Sequence, residues 1–219
     1  MPKIPRLFFA GLCTALASHY ASADDLLFKT YAHDSPITSY SSAQGYYDCT
    51  EDIGAKALCL NDVRFIDNSF TAILVFSADK LISVSLRASF DQNLYGKAIG
   101  ALAQSFTLVT LADNKSQLDV VELGAKSSNK SDYATALTNY ESVGLNSGNL
   151  TYTFMEKSIP TAGHKSFVSA LAAAPNNVRA AELMLVSDGA SNNMMIRFSL
   201  PKLEANKVLS EVKKPVEKF

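Results

Sequence analysis

Alternation of apolar and polar positions predicts paired strands along much of the chain. Residues 70–76 are apolar on both alternating faces, which is typical of a strand buried on both sides of a sheet. After a turn at residues 77–80, residues 81–87 alternate strictly, so we expect a strand with one face exposed to water. Further strands are predicted at residues 107–111 paired with 118–123, at 150–155, and at 181–187 paired with 194–200. The chain should therefore contain antiparallel sheet.

Apolar positions at three- and four-residue spacing predict helices between these strands. Asp91 can cap a helix whose apolar stripe runs from Leu94 to Phe106. Gly96 and Gly100 share one face of this helix, and we interpret them as a close approach of its backbone to the sheet. Other helices are predicted from Ser131 to about Gly144, from Lys165 to Ala174, and from Pro201 onward. The predicted fold class is α+β, with antiparallel β-hairpins and helices packed on one side.

The hairpin–helix pattern of residues 70–106 recurs at residues 180–216. Aligning residues 70–106 with residues 180–216, a shift of 110 positions without gaps, superimposes the two predicted hairpins and the two predicted helices. The identical pairs are Ser77 with Ser187, Arg87 with Arg197, Ser89 with Ser199, and Lys97 with Lys207. Four identities are few, but the coincident patterns predict a tandem β-hairpin–helix repeat.

The first residues have the pattern of a secretory signal peptide. Lys3 and Arg6 precede an apolar run at residues 7–17, and residues 21–23 form a small-residue cleavage pattern. We therefore expect residues 1–23 to be removed from a periplasmic or secreted protein. Later apolar runs fall short of the roughly 20 residues of a spanning helix, so we expect no transmembrane segment in the mature chain.

A Ser, Asn and Lys linker at residues 124–130 is the best candidate for an internal boundary. It predicts two α+β halves, residues 24–125 and 126–219, which either fold separately or form one continuous domain.

Charge limits the class of partner. Removing Lys3 and Arg6 from the 20 basic residues leaves 18 against 21 acidic residues, a net charge of −3. Because basic residues are not in excess, we expect no nucleic-acid partner.

Two cysteines remain after cleavage, Cys49 and Cys59. In an exported protein, two cysteines separated by a short polar loop predict a disulfide. The alternative, a redox or metal-binding pair, would need C-x-x-C spacing or nearby histidines.

A tyrosine- and serine-rich segment beside acidic residues provides the candidate contact surface. Tyrosine combines a rigid apolar ring with a polar tip, and small polar neighbours let a surface adapt to a partner. The candidate binding residues are Tyr40, Tyr46, Tyr47, Asp48, Glu51 and Asp52. The alternative is that the rings lie on the core and the acids form a solvated rim.

Residue types typical of catalysis or metal binding are sparse. The mature histidines, His33 and His164, have no second histidine or cysteine at ligand spacing, and no G-x-S-x-G or phosphate-binding glycine loop occurs. We therefore expect no metal, no cofactor and no enzymatic activity. Paired carboxylates cannot be assessed from sequence, because their separation is a spatial property.

The sequence predicts a soluble exported protein that works by occluding a macromolecular partner. An inhibitor of an envelope-degrading enzyme or an immunity protein against a secreted toxin would have these properties. Two alternatives remain: an envelope-polymer hydrolase that uses paired carboxylates, and an extracytoplasmic carrier of a small ligand. The sequence does not determine the oligomeric state.

Overall fold

The computed structural model describes residues 26–158, 161–187 and 192–205. The strands are β1 (Leu26–Phe28), β2 (Tyr31–Ala32), β3 (Tyr47–Asp48), β4 (Ala57–Phe65), β5 (Asn68–Ser77), β6 (Lys80–Ser89), β7 (Phe106–Ala112), β8 (Gln117–Asp119), β9 (Asn149–Glu156), β10 (Ala180–Ser187) and β11 (Asn192–Ser199). The helices are α1 (Thr50–Ile53), α2 (Gln92–Ser105), α3 (Val120–Lys126), α4 (Lys130–Ser147) and α5 (Phe167–Ala173), and residues 201–205 are also helical. The predicted signal peptide lies outside the described residues.

Strands β3 to β11 form one antiparallel sheet in the order β3-β4-β5-β6-β11-β10-β9-β7-β8. The hairpins β4–β5 and β5–β6 are closed by two-residue turns, Ile66–Asp67 and Ala78–Asp79, in which all four residues have positive φ. Such turns match the right-handed twist of paired strands. Strand β4 is missing from the sequence prediction, whereas the α+β class with antiparallel hairpins is confirmed.

One sheet face, which we call the inner face, carries Leu86 and Ile196 and packs against α2 and α4. Helix α2 begins as predicted, because the Asp91 carboxylate accepts the Leu94 N–H at 2.8 Å. Helix α4 is longer than predicted: it continues past Gly144 and ends at Gly148, whose φ is 75°. The N-terminal strands β1 and β2 complete this core.

The opposite face, the outer face, is covered at two places. Near β4, the disulfide cysteines pack with Ala57 and Ile73. Near β7 and β9, residues of α3 and of the α5 segment pack on Met155. The two longest helices therefore share one side, as predicted, while the short helices reach the other.

Two local predictions fail for identifiable reasons. Residues 120–123 are helical instead of extended, because the Asp119 carboxylate accepts the Glu122 N–H at 2.9 Å and starts α3. Ser83 and Ser85 are buried although strict alternation predicts a wet face. Ser85 lies between Ile73 and Arg197 on neighbouring strands, and these longer side chains flank its short hydroxyl.

The two hairpins of the predicted repeat are neighbours in the sheet. Strand β6 pairs with β11, and Leu86 lies opposite Ile196, the residue 110 positions later. The pairing is therefore symmetric about equivalent residues. The repeat itself stays a prediction, because residues 188–191 and 206–216 of its second unit lie outside the described residues.

The described part of the chain has no helix with the length and apolar composition required to cross a bilayer. Strands that precede and follow the predicted boundary at residues 124–130 lie in the same sheet. The division into two halves nevertheless stays a prediction.

Candidate functional site

Three large apolar side chains are exposed together at one end of the sheet. Phe90, Leu145 and Val186 are 38%, 40% and 43% exposed, and they surround a cavity of about 90 Å³. Buried Leu150 and Leu185 also line the cavity, and its rim carries Asn149, Asn192 and Asn193. We call this cavity and its lining the apolar notch.

Local backbone features bring these residues together. Phe90 lies between β6 and α2, and its N–H donates to the carbonyl of Asn192 at 2.8 Å, which holds it against the start of β11. Leu145 lies in the last turn of α4, and left-handed Gly148 turns the chain directly into β9. The notch therefore forms where two helix ends meet the ends of four strands, β6, β9, β10 and β11.

A polar groove of about 570 Å³ lies next to the notch: Ser89 lines the groove, and the following residue, Phe90, lines the notch. Its polar lining includes Asn61, Asp62, Asn68, Ser69, Thr71, Arg87 and Ser89. A β-bulge in β4 places both Asn61 and Asp62 opposite Thr71. We call this region the polar groove.

Hydrogen bonds organise the wall of the polar groove. Asn61 Oδ1 accepts from the Thr71 hydroxyl at 3.0 Å and from the Tyr47 hydroxyl at 3.2 Å. Asp62 Oδ1 accepts from the Ser69 hydroxyl at 2.9 Å. Arg87, the cross-strand neighbour of Thr71, is exposed and forms no ion pair with any described residue. The groove thus contains a cation without a neighbouring anion at contact distance.

A half-buried polar cluster lies beside the notch. Glu141 on α4 accepts from the Tyr152 hydroxyl at 2.6 Å and from the Tyr95 hydroxyl at 3.1 Å, and the two hydroxyls also contact each other. Burial raises the pKa of Tyr95 to about 12 and also raises the pKa of Tyr152. Both phenols therefore stay neutral donors, and the Tyr95 ring lies 6.1 Å from that of Phe90.

The predicted tyrosines lie in two different places. Tyr40 and Tyr46 are half-buried in an aromatic cluster with Tyr31 and Phe76, in which the Tyr46 hydroxyl donates to that of Tyr31 at 3.3 Å. Burial raises the pKa of Tyr40. Tyr47 is 42% exposed, and its hydroxyl donates to Asn61, which lines the polar groove. Only Tyr47 therefore joins the candidate site, and the binding role of all three stays a prediction.

The predicted acidic residues lie beside the disulfide. Asp48 is exposed, and hydrogen bonds from the hydroxyl and N–H of Thr50 lower the pKa of its carboxyl group. Glu51 and Asp52 are exposed in the first turn of α1. The Cys49–Cys59 disulfide is confirmed, with Cα atoms 5.9 Å apart.

A carboxyl group that acts as a general acid near neutral pH needs a raised pKa. Asp48 and Asp113 have shifted pKa values, and both are lowered; for Asp113 the cause is the backbone N–H groups of Lys115 and Ser116. Among the described residues, no three His, Cys, Asp or Glu side chains group together as metal ligands.

Sequence reasoning missed Phe90, Leu145, Val186 and Arg87 as site residues. Leu145 fell beyond the predicted end of α4 at Gly144. Phe90 precedes a helix cap and Val186 ends a strand, positions that do not by themselves predict exposure. Their common location depends on the strand order, which no local pattern contains.

Comparisons with protein-family models, with curated proteins and with solved structures find no match to this chain.

Proposed function

We propose that the protein is an exported binding protein, periplasmic or secreted, that occludes a protein partner with its apolar notch. Inhibitors of envelope-degrading enzymes and immunity proteins against secreted toxins work in this way. The observation that carries the proposal is the joint exposure of Phe90, Leu145 and Val186 around one concavity.

Clustering distinguishes this surface from ordinary exposed apolar residues. A single exposed leucine needs no explanation, but an apolar concavity with a polar rim is typical of an interaction site. Burying side chains of this size contributes about 1.5–3 kcal/mol each relative to full exposure. A partner side chain that fills the notch would also be surrounded by the rim asparagines, which exclude water from such contacts.

Size and chemistry favour a protein partner over the two alternatives. A pocket for a drug-sized ligand has roughly 300–1,000 Å³ and a mostly apolar lining. The notch encloses about 90 Å³, room for one side chain. The polar groove is large enough at about 570 Å³, but its lining is mostly polar. A hydrolase with paired carboxylates would need an acid with a raised pKa, whereas hydrogen bonds lower the pKa of the Asp48 and Asp113 carboxyl groups.

Site-directed photo-crosslinking tests the proposal. Two variants are made, one with a photoreactive residue in place of Leu145 and one with it in place of Val168. Each variant is irradiated in envelope extract of the source cell. Val168 is a suitable control because it is 71% exposed on α5, away from the notch. We expect a discrete protein adduct from position 145 only, and we expect Val186→Asp to abolish it. The proposal would be contradicted by equal amounts of adduct from both positions, or by the absence of an adduct from position 145.

Affinity for the captured partner provides the quantitative test. Leu145→Asp should weaken binding at least tenfold, about 1.4 kcal/mol, because it places a charge in the apolar contact. Val168→Asp should leave the affinity unchanged. Leu145→Asp places a negative charge in the last turn of α4 and should cost about 0.3–1 kcal/mol of stability, whereas Val168→Asp, in the first turn of α5, should cost none. Both variants should therefore remain folded, and unfolding midpoints verify that lost binding does not reflect lost folding.

A further inference from the structure

The outer sheet face next to the notch carries two arginines on adjacent strands. Arg87 on β6 faces Met195 on β11, and Arg197 lies two residues further along β11, so both point to the same side of the sheet. Arg197 donates from Nε to Glu182 at 2.8 Å. Arg87 has no such carboxylate partner within the described ranges, and although Asp62 lines the same groove it forms no ion pair with Arg87. The guanidinium donors of Arg87 are therefore available to a ligand.

A nearly buried hydroxyl lies beside these arginines. Ser85 precedes Arg87 by two residues and pairs directly with Arg197, so it shares their face. The residue is only 4% exposed, yet its hydroxyl forms no hydrogen bond with any residue that the structure describes. This hydroxyl is therefore a donor that a ligand on the outer face can use. Guanidinium and hydroxyl donors on one face are the groups that bind a carboxylate.

The cation and the notch are close enough for one partner segment. Across the sheet, Arg87 is followed by Met195 and then by Met184, and Val186 lies two residues along β10 from Met184. With strands about 4.8 Å apart and about 3.3 Å per residue, the backbones of Arg87 and Val186 are about 12 Å apart. A segment of about four extended residues covers that distance.

We propose that Arg87, with Ser85 beside it, binds a carboxylate of the partner, and that the same partner segment places an apolar side chain in the notch. The inference rests on the proposed function and specifies the partner's chemistry: an aspartate or glutamate next to a large apolar residue. Arg87 provides the charge and the paired donors, and the notch provides the apolar contact.

Peptide selection tests this pairing while the partner is still unidentified. A phage-displayed library of random dodecapeptides is selected on the purified full chain and counter-selected on the Leu145→Asp variant. We expect the enriched peptides to combine an apolar residue with Asp or Glu. Arg87→Gln should weaken their binding at least tenfold, and Arg87→Lys should restore only part of it because lysine lacks the paired donors. Arg64→Gln, which removes the same charge at another exposed position, is the control.

A double-mutant cycle identifies the contact. Replacing the peptide's Glu by Gln should cost the wild-type protein the same factor as Arg87→Gln, and should cost the Arg87→Gln variant nothing more. Enriched peptides without an acid, or equal effects of Arg87→Gln and Arg64→Gln, would overturn this inference and leave the notch in place. If no peptide distinguishes the wild type from Leu145→Asp, the proposed function itself fails.

Discussion

Gly144 lies inside α4, where glycine is unfavourable unless packing requires it. A Cβ atom at this position would lie 2.5 Å from Leu150 Cδ1 and 3.2 Å from its Cγ. Leu150 is 1% exposed and has little room to move. Glycine here allows α4 to approach β9 closely, and this approach brings Leu145 to the notch.

Gly144→Ala should therefore destabilise the protein. Overpacking a filled core costs about 1–3 kcal/mol, which exceeds the gain of about 1 kcal/mol from helix propensity. Gly100→Ala on α2 is the matched control, because nothing lies within 4 Å of a Cβ atom there. It should stabilise the protein by about 0.5–1 kcal/mol. Urea unfolding midpoints compare the two, and a rise in both midpoints would contradict the packing argument.

At the scale of single residues, the sequence predicted what depends on near neighbours in the chain. The Asp91 cap was predicted correctly because its partner is three residues away. The roles of the glycines were predicted wrongly. We predicted that Gly96 and Gly100 lie close to the sheet, but they face open space. We predicted a helix end at Gly144, but this residue lies inside α4 and packs closely on Leu150. A glycine's role depends on what lies across from it, and a single helix pattern lacks that information.

At the scale of elements, the disulfide holds the short strand β3 against the sheet. Strand β3 has two residues, in which Tyr47 pairs with Cys59 and Asp48 with Leu58. So short a pairing has little stability of its own. Because Cys49 follows β3 directly, its bond to Cys59 positions the Tyr47 ring at the polar groove.

Replacing both cysteines by alanine should destabilise the protein by about 3 kcal/mol, the chain-entropy value for a loop of this length. Alanine avoids leaving a buried hydroxyl in the apolar cluster around Ile73. Urea unfolding with and without dithiothreitol measures the effect: the reductant should lower the wild-type midpoint and leave the double variant unchanged. If reduction does not move the wild-type midpoint, the disulfide makes no contribution of this size.

Helices and strands were predicted correctly where the spacing of apolar residues is regular. The prediction failed where a helix cap or a β-bulge interrupts that spacing. The strand pattern of residues 118–123 continues through Asp119, yet its carboxylate starts a helix there. Strand β4 was missed because its bulge at Asn61 and Asp62 places two polar residues where alternation expects one. Both devices override the alternation of apolar residues.

At the scale of the whole molecule, the notch depends on the strand order. Strands β10 and β11 come last in the chain but lie between β6 and β9 in the sheet. Phe90 and Val186 are distant in sequence and meet only because β11 pairs with β6 on one side and β10 on the other. The sequence predicted each hairpin but contained no signal for their order. For this reason the fold class was predictable and the site was not.

The Tyr95–Tyr152–Glu141 cluster links α2, β9 and α4, so its ionisation should affect the stability of the whole protein. Burial raises the pKa of Tyr95 to about 12 and raises the pKa of Tyr152, above the value of about 10 in an unfolded chain. A raised pKa favours the protonated folded state. The stability that it contributes is therefore complete below about pH 10 and decreases as pH rises through about 12.

Tyr152→Phe removes one of these phenols, so its urea unfolding midpoint should fall less steeply than that of the wild type between about pH 9 and about pH 12. Tyr47→Phe removes a hydroxyl at an exposed position and should follow the wild type. Tyrosinate absorbance, recorded in the same titration, should show one fewer late-ionising phenol in Tyr152→Phe. Parallel alkaline slopes for the wild type and Tyr152→Phe would mean that this cluster does not couple the helices to the sheet in the way its geometry indicates.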